Sequence, residues 1–360
     1  MKKNCTHCLL SNEIANVTIS EDNTCNYCHN YKPFIPLGED KLLKILSHSV
    51  NKNRKYDALV PLSGGKDSAY VLYLAVKKYH LKVLTFTYDN GFISELAHQN
   101  IEAITKCCNV DHMYIRPEKK ELYGLYKTAL LKSGEYCGVC GIGIERNMLM
   151  ISKKWRIPII LLGHTPTEEN TATSEHIYDP GRLKYILSQN KDISKKNLND
   201  LFIFPHLNFA SSYIKSRVGI FGKKINMLYY IENPSDKEIT KILEHELNWK
   251  DSSSSQYTRH FDCLAEPFSN FIREKRFGYS RRILQLSAMI RTGEISKSEA
   301  ISIRETDNQQ TLPEHYTHVL QTLNITSSEL DNIFSLPINI YNNRVSVVNR
   351  LFAILRKKIK

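Results

Sequence analysis

Long apolar runs are missing from this chain of 360 residues. None approaches the roughly 20 residues that cross a bilayer, so a membrane-spanning reading is excluded. The start, Met1-Lys2-Lys3-Asn4-Cys5, carries positive charge with no apolar h-region behind it, and the expected address is the cytoplasm. No internal repeat is visible. A disulfide framework is disfavoured too. The nine cysteines are an odd number, grouped mostly as C-x-x-C pairs, a usage that suits metal or redox chemistry in a reducing compartment. The G-x-x-x-x-G-K-[ST] phosphate loop is also absent, so the usual kinase and GTPase reading is disfavoured.

What is present is ample for a folded protein. A 42% hydrophobic content supports a packed core in one large or two medium domains. The formal net charge of +12 invites a nucleic-acid reading, but nucleotides and nucleotide-sugars are polyanions as well, and the basic residues do not line one stripe. Two basic clusters stand out, Arg273 to Arg282 and the tail Arg350 to Lys360. The tail reads as a solvated helix end or as a docking helix for a membrane surface or partner.

From Asp57 onward apolar runs alternate with amphipathic segments, the pattern of a doubly wound α/β fold with a parallel sheet. Strands are expected at Ala58 to Leu62, Val83 to Tyr88, His112 to Ile115, Ile157 to Gly163 and Ile225 to Ile231. Helices are expected at Ser68 to Tyr79, Ser94 to Cys107, Lys119 to Leu131 and Ile142 to Lys154. Ligands of such sheets gather at the carboxyl ends of the strands, which puts Ser63, Asp89 and His164 on one rim. Leu183 to Asp200 reads as a polar excursion or flexible loop, and Ser252 to Ser255 as a loop. Helices are expected again from Pro267 to about Arg304, followed by an α-rich appendage.

The most informative stretch is Ser63-Gly64-Gly65-Lys66-Asp67-Ser68, a glycine turn between a strand and a helix. Its backbone N–H groups can approach an anion closely, the helix N-terminus adds partial positive charge, and Lys66 adds a full one. Asp67 is a metal ligand or a helix N-cap, Asp89 a metal or ribose ligand. His164, beside Gly163, is a phosphate or substrate contact or else a buried structural histidine. Thr165 to Glu175 reads as a substrate lid or an ordinary surface loop.

Two cysteine groups carry chemistry. Cys5, Cys8, Cys25 and Cys28 form two C-x2-C knuckles sixteen residues apart, which gives four thiolates tetrahedral reach around one structural Zn²⁺. Cys137 and Cys140 form a further C-x-x-C, placed between two helices, with Cys263 distant in sequence. This trio can ligate an iron–sulfur cluster, act as a sulfur-carrying pair, or bind a second zinc with His260; packing at a helix start and in the core is the bland alternative. Cys107 and Cys108 read as core and surface thiols.

SGGKDS resembles the PP-loop of the ATP pyrophosphatase superfamily, whose fold is also described as adenine nucleotide alpha hydrolase-like. The span from Cys5 to about Arg304 is similar to the N-acetyl sugar amidotransferases of bacterial surface-polysaccharide (lipopolysaccharide) biosynthesis. The matching segments are the N-terminal knuckles, YDALVPLSGGKDS, TYDNGF around Asp89, LLGH ending at His164, ILEHELNWKD around Trp249, and EKRFGYSRRILQLSAMIRTGEISKSEA. The resemblance implies three regions: a zinc ribbon over 1–35, a PP-loop domain over 50–250 and a helical region over 251–360. It implies ATP with Mg²⁺ held by Ser63, Gly64, Gly65, Lys66, Asp67, Ser68, Asp89 and Gly163, with Lys66, Asp67 and His164 nearest the chemistry. It further implies a nucleotide-sugar substrate, and ammonia from a separate glutaminase subunit, since no glutaminase-like Cys/His/Glu set is seen in this chain. Oligomeric state is left open. The tRNA thiolases of the same superfamily are a second resemblance, in which Cys137, Cys140 and Cys263 match the ligands of a four-iron cluster. A basic, zinc-bearing nucleic-acid module is the non-enzyme alternative.

Overall fold

The computed structural model describes residues 2–166, 177–194, 198, 201, 216–252, 262–308 and 312–347. It divides into two compact units. One comprises the described residues within Pro36–His164, His176–Leu264 and Tyr341–Lys360; the other, those within Met1–Ile35, Thr165–Glu175 and Ala265–Ile340.

The first unit is built on a five-stranded sheet in the order β3-β2-β1-β4-β5, with β1 Ala58–Pro61, β2 Val83–Tyr88, β3 Asp111–Ile115, β4 Ile159–Leu162 and β5 Lys223–Asn226. Every pairing is parallel, with Ala58 opposite Val83 and Ile159, and Leu84 opposite Asp111. The central strands are buried along nearly their whole length because both of their faces are covered. The period-two rule sorts them: Ala58, Val60, Leu62 and Val83 join one core with Leu161, while Leu59, Leu84, Phe86 and Ile160 are buried on the opposite face. Two buried threonines on β2 keep their hydroxyls satisfied, Thr85 through the Asp111 carbonyl (3.1 Å) and Thr87 through the Leu62 carbonyl (2.5 Å).

Helices α1 Glu39–Ser49, α2 Lys66–Tyr73, α3 Glu95–Cys108 and α7 Asp236–Leu247 supply Leu42, Leu46, Val71, Leu72, Ile101, Ile104, Leu243 and Leu247 to the first core. Helix α4 spans Lys119–Ser133, α5 Cys137–Lys154 and α6 Pro180–Ser188; α5 packs on β1, β2 and β4. The chain winds from β1 out to β3, then crosses back to β4 on the other side of β1. The resulting topological switch point lies at the carboxyl ends of β1 and β4.

Three expectations need correction. The fifth strand ends at Asn226, and Met227–Tyr229 form a 3₁₀ turn in place of continued strand. Residues 183–188, expected in a polar excursion, belong to α6, where Asp179 caps the start and Leu183, Ile186 and Leu187 are buried on one face. Helix α5 begins at Cys137, five residues before Ile142, so the C-x-x-C is helical rather than interhelical. Its glycines serve as spacers. A Cβ on Gly138 would lie 2.3 Å from the Ile177 carbonyl oxygen, and one on Gly143 would lie 2.4 Å from the Tyr88 ring.

The second unit holds the N-terminal cysteine knuckles and helices α8 Glu266–Phe277, α9 Arg281–Thr292, α10 Lys297–Asn308, α11 Tyr316–Thr322 and α12 Ser327–Phe334. Gly278 and Gly293, both at positive φ, end α8 and α9. Leu10, Ile14 and Val17 share a small core with Tyr279, Ile283 and Leu284. Arg276 closes the far side by donating to the carbonyls of Leu336 (3.4 Å) and Pro337 (3.0 Å). Among the described residues no helix is long and apolar enough to cross a membrane.

Candidate functional site

The glycine turn lies at the switch point. Gly64 has φ +85°, a conformation that costs most side chains about 1–2 kcal/mol. A Cβ there would also sit 2.6 Å from the Ala97 carbonyl oxygen in α3. Gly65 precedes the first residue of α2, so the correct N-cap position is Gly65 and not Asp67, which stands in the first turn. The exposed Ser63 hydroxyl, 3.3 Å from the Ser68 hydroxyl, accepts from the Gly65 N–H at 3.3 Å. Ser68 in turn donates to the Gly65 carbonyl at 3.0 Å. The result is a small polar mouth facing the unpaired N–H groups that every helix start leaves. Gly64→Ala is expected to lower stability by about 1–3 kcal/mol through strain and the collision with α3, and to abolish nucleotide binding; calorimetry of unfolding and of ATP titration checks both.

Lys66 is buried, and its ammonium lies 3.2 Å from Asp67 Oδ1 and contacts Asp236 at the start of α7. Burial by itself lowers its pKa, but the two carboxylates outweigh burial, and the net direction is upward. The lysine is therefore charged throughout the neutral range. Asp67 Oδ1 is buried and accepts no well-aligned hydrogen bond among the described residues. That oxygen is paired with the Lys66 ammonium, and the carboxylate as a whole, about a third exposed, is of the type that ligates a hard cation such as Mg²⁺. Asp236 is a residue that sequence reasoning missed; its signal was a Ser235-Asp236 helix start with a capping box to Glu238.

On the same rim, Asp89 follows β2, accepts from the Gly91 N–H at 3.0 Å and lies 3.4 Å from Arg116. His164 follows β4 and is exposed, which removes the reading as a buried structural histidine. Gly163 has the Asp67 backbone behind it, since a Cβ there would lie 2.9 Å from the Asp67 carbonyl oxygen. Of the segment 165–175, only Thr165 and Pro166 fall within the described residues, as His260 and the basic tail 350–360 do not.

Cys137 and Cys140 stand on the first turn of α5 at helical i, i+3 spacing. Cys263 reaches the same neighbourhood through an isolated bridge to Ile93, reinforced by Leu264 N–H to the Phe92 carbonyl at 2.8 Å. Asn90 donates to the Cys263 sulfur at 3.5 Å, while the buried Tyr126 feels all three sulfurs. Burial pushes the Cys140 thiol up to about 12, with the Cys137 charge adding to the shift. Of the candidate sets, only the N-terminal quartet is gathered among the described residues tightly enough to hold an ion.

In that quartet the ligand atoms of Cys5, Cys8, Cys25 and Cys28 all lie within 4.8 Å of one another. The Cys5–Cys28 and Cys8–Cys25 sulfurs are 3.8 and 3.7 Å apart. Four sulfurs each about 2.3 Å from a tetrahedral Zn²⁺ stand about 3.8 Å apart, so the donor set fits zinc. The Cys25 N–H donates to Cys5 Sγ and the Cys28 N–H to Cys25 Sγ, both at 3.3 Å, which orients the sulfurs inward. Arg291 of α9 lies 3.8 Å from Cys8 Sγ, and Lys297 donates to the carbonyls of Cys5 and Thr6.

The model of the queuosine biosynthesis protein QueC matches residues 57–140. That of the LPS biosynthesis protein WbpG-like C-terminal domain matches residues 254–351. The uncharacterized protein MJ1599 of Methanocaldococcus jannaschii is 24% identical over 270 residues, covering 75% of this chain and 80% of its own. Among solved structures, the U34-tRNA thiolase NcsA from Methanococcus maripaludis with its [4Fe-4S] cluster is 14% identical at TM-score 0.36, over 94% of this chain and 99% of that one. The NMN synthetase from Francisella tularensis is 16% identical at TM-score 0.27, over 61% and 97%. The parallel sheet, its glycine loop and the QueC match define a PP-loop protein of the ATP-utilising class. With the WbpG-like match added, the two matched segments support a likeness to the N-acetyl sugar amidotransferase-like PP-loop family.

Proposed function

We propose that this protein is an AMP-forming amidotransferase that acts on a nucleotide-activated N-acetyl sugar. The acetamido carbonyl oxygen attacks the α-phosphorus of ATP, and pyrophosphate leaves with the electrons of the broken P–O bond. Ammonia then adds to the activated carbon, AMP departs with the former carbonyl oxygen, and a proton is released, leaving an acetamidino group. Ser63 to Ser68 cradle the pyrophosphate portion, and Lys66 neutralises the charge that builds on it. Mg²⁺, when bound beside Asp67, supplies further neutralisation of phosphate charge. Asp89 faces the ribose or metal, and His164 meets phosphate or the adenylated oxygen. Ammonia comes from a separate glutaminase subunit.

The match over residues 254–351 carries this reading, because it lies outside the glycine loop that all PP-loop proteins share. The test supplies the full chain with ATP, a UDP-linked N-acetyl sugar and ammonium, which bypasses the partner. AMP and pyrophosphate are expected only when sugar is present, with one oxygen of the sugar replaced by NH in its mass spectrum. AMP formation indifferent to the sugar would count against it.

A second reading, sulfur transfer, is favoured by one observation: Cys137, Cys140 and Cys263 all lie close enough to the buried Tyr126 to act on it. The three sulfurs are not gathered as an ion-holding set among the described residues, so no step is drawn through a cluster there. Metal and acid-labile sulfide content of anaerobically purified protein separates the readings. Zinc without iron or sulfide is expected; iron with matching sulfide, lost in Cys137→Ser, would replace ammonia by sulfur.

A further inference from the structure

The Gly64–Gly65 peptide is the least constrained link in the loop, because glycine on both sides makes rotation of that peptide plane nearly free. Its orientation decides what the loop can bind. In a trans peptide the carbonyl oxygen and the following N–H point in opposite directions. When the Gly64 carbonyl faces the protein, the Gly65 N–H faces the mouth; turned over, the loop would offer an anion an oxygen.

Two buried side chains hold the first orientation. Trp249 Nε1 donates to the Gly64 carbonyl at 2.8 Å, and Asn100 Nδ2 reaches it at 3.4 Å. Trp249 is 2% exposed and Asn100 1%. Asn100 also locks the chain that carries the indole, accepting from the Lys250 N–H and donating to the Lys250 carbonyl, both at 2.9 Å. On the opposite side of the peptide the Gly65 N–H points at Ser63 Oγ, at the long distance of 3.3 Å and in the exposed mouth. Helix α7 stands behind both ends of the arrangement: Asp236 at its start meets Lys66, and Trp249 follows its end.

We propose that Trp249, braced by Asn100, is a positioning residue that keeps the Gly64–Gly65 peptide from turning over and so holds the loop ready for a pyrophosphate group. The proposal rests on the reading of Ser63 to Ser68 as the pyrophosphate cradle. Trp249 touches no phosphate in this scheme; it acts through the Gly64 carbonyl. A group that merely filled the core would need the indole's bulk and not its N–H.

The test is calorimetric titration of the full chain with inorganic pyrophosphate, Mg·ATP and AMP, comparing wild type with Trp249→Phe and Asn100→Ala. Trp249→Phe keeps an aromatic ring in the core and removes the donor. Loss of one hydrogen bond's worth of orientation is expected to weaken pyrophosphate and ATP about tenfold. AMP, which lacks the groups the loop cradles, is expected to bind unchanged, and Asn100→Ala to show the same selective loss. Unaltered pyrophosphate affinity in Trp249→Phe, or an equal fall for pyrophosphate and AMP, would overturn the proposal, the latter by marking general loss of structure. Should Trp249→Phe not fold, the pyrophosphate-to-AMP ratio in Asn100→Ala decides the matter by the same criteria. Wild-type protein that binds no pyrophosphate would instead refute the cradle reading itself.

Discussion

Lys66→Met is expected to lower the rate of AMP formation by about 100- to 1,000-fold, the usual consequence of removing one preorganised charge from a developing anion. The lysine is buried with its charge intact, so no water or flexible neighbour stands ready to replace it. Methionine preserves the aliphatic stem and deletes only the ammonium. Little change in stability should accompany the loss. The carboxylate partners Asp67 and Asp236 are about a third exposed (34% and 32%), where solvent screens the charge they would be left with. Quench-flow or end-point assay of AMP, together with a denaturation curve, separates the two effects. Near-normal AMP production in a folded variant would remove Lys66 from the chemistry.

Metal removal should produce the second large effect, and in the other unit. Structural zinc contributes apparent binding energies of about 10–16 kcal/mol in small finger peptides, as much as a whole domain's net stability of about 5–15 kcal/mol. The knuckles here have little else. Their apolar residues Leu10, Ile14 and Val17 depend on a small core shared with Tyr279, Ile283 and Leu284. Stripping the ion with a chelator, or replacing Cys25 by Ser, is therefore expected to expose residues 2–35 to protease and to speed amide exchange in α9. ATP binding by the sheet unit should persist, because none of its described core residues belongs to that cluster. Unchanged protection of residues 2–35 after complete metal loss would argue that the ribbon stands without an ion.

Position in the chain was a good guide wherever a local rule acted alone. The strand–glycine–helix order around Ser63 to Ser68 needs only the apolar run before it and the amphipathic helix after it. The carboxyl-end rule then put Ser63, Asp89 and His164 on one rim. Helix α5 starts five residues before the expected Ile142, and glycine, which has two uses, is found in that added stretch. As a breaker it signals a loop, but Gly138 and Gly143 serve the close approach of Ile177 and Tyr88, neighbours that no local window contains. The residues 183–188 were misjudged for the opposite reason, since a polar average hid three buried leucine and isoleucine side chains on one helical face.

The sequence by itself determined the period of each main element, the place of the glycine turn at the end of β1, and the C-x2-C spacing that lets four sulfurs converge, because all three depend on residues close together in the chain. Only the tertiary structure decided what surrounds them. It brought Asp236 to Lys66 across 170 residues and the Trp249 indole to the Gly64 carbonyl across 185. It set Asn90 against Cys263 and turned His164 toward solvent. Those contacts follow from the parallel crossovers of the sheet, which carry chain segments far apart in sequence to the same rim, and no periodicity along the chain encodes which of them will meet.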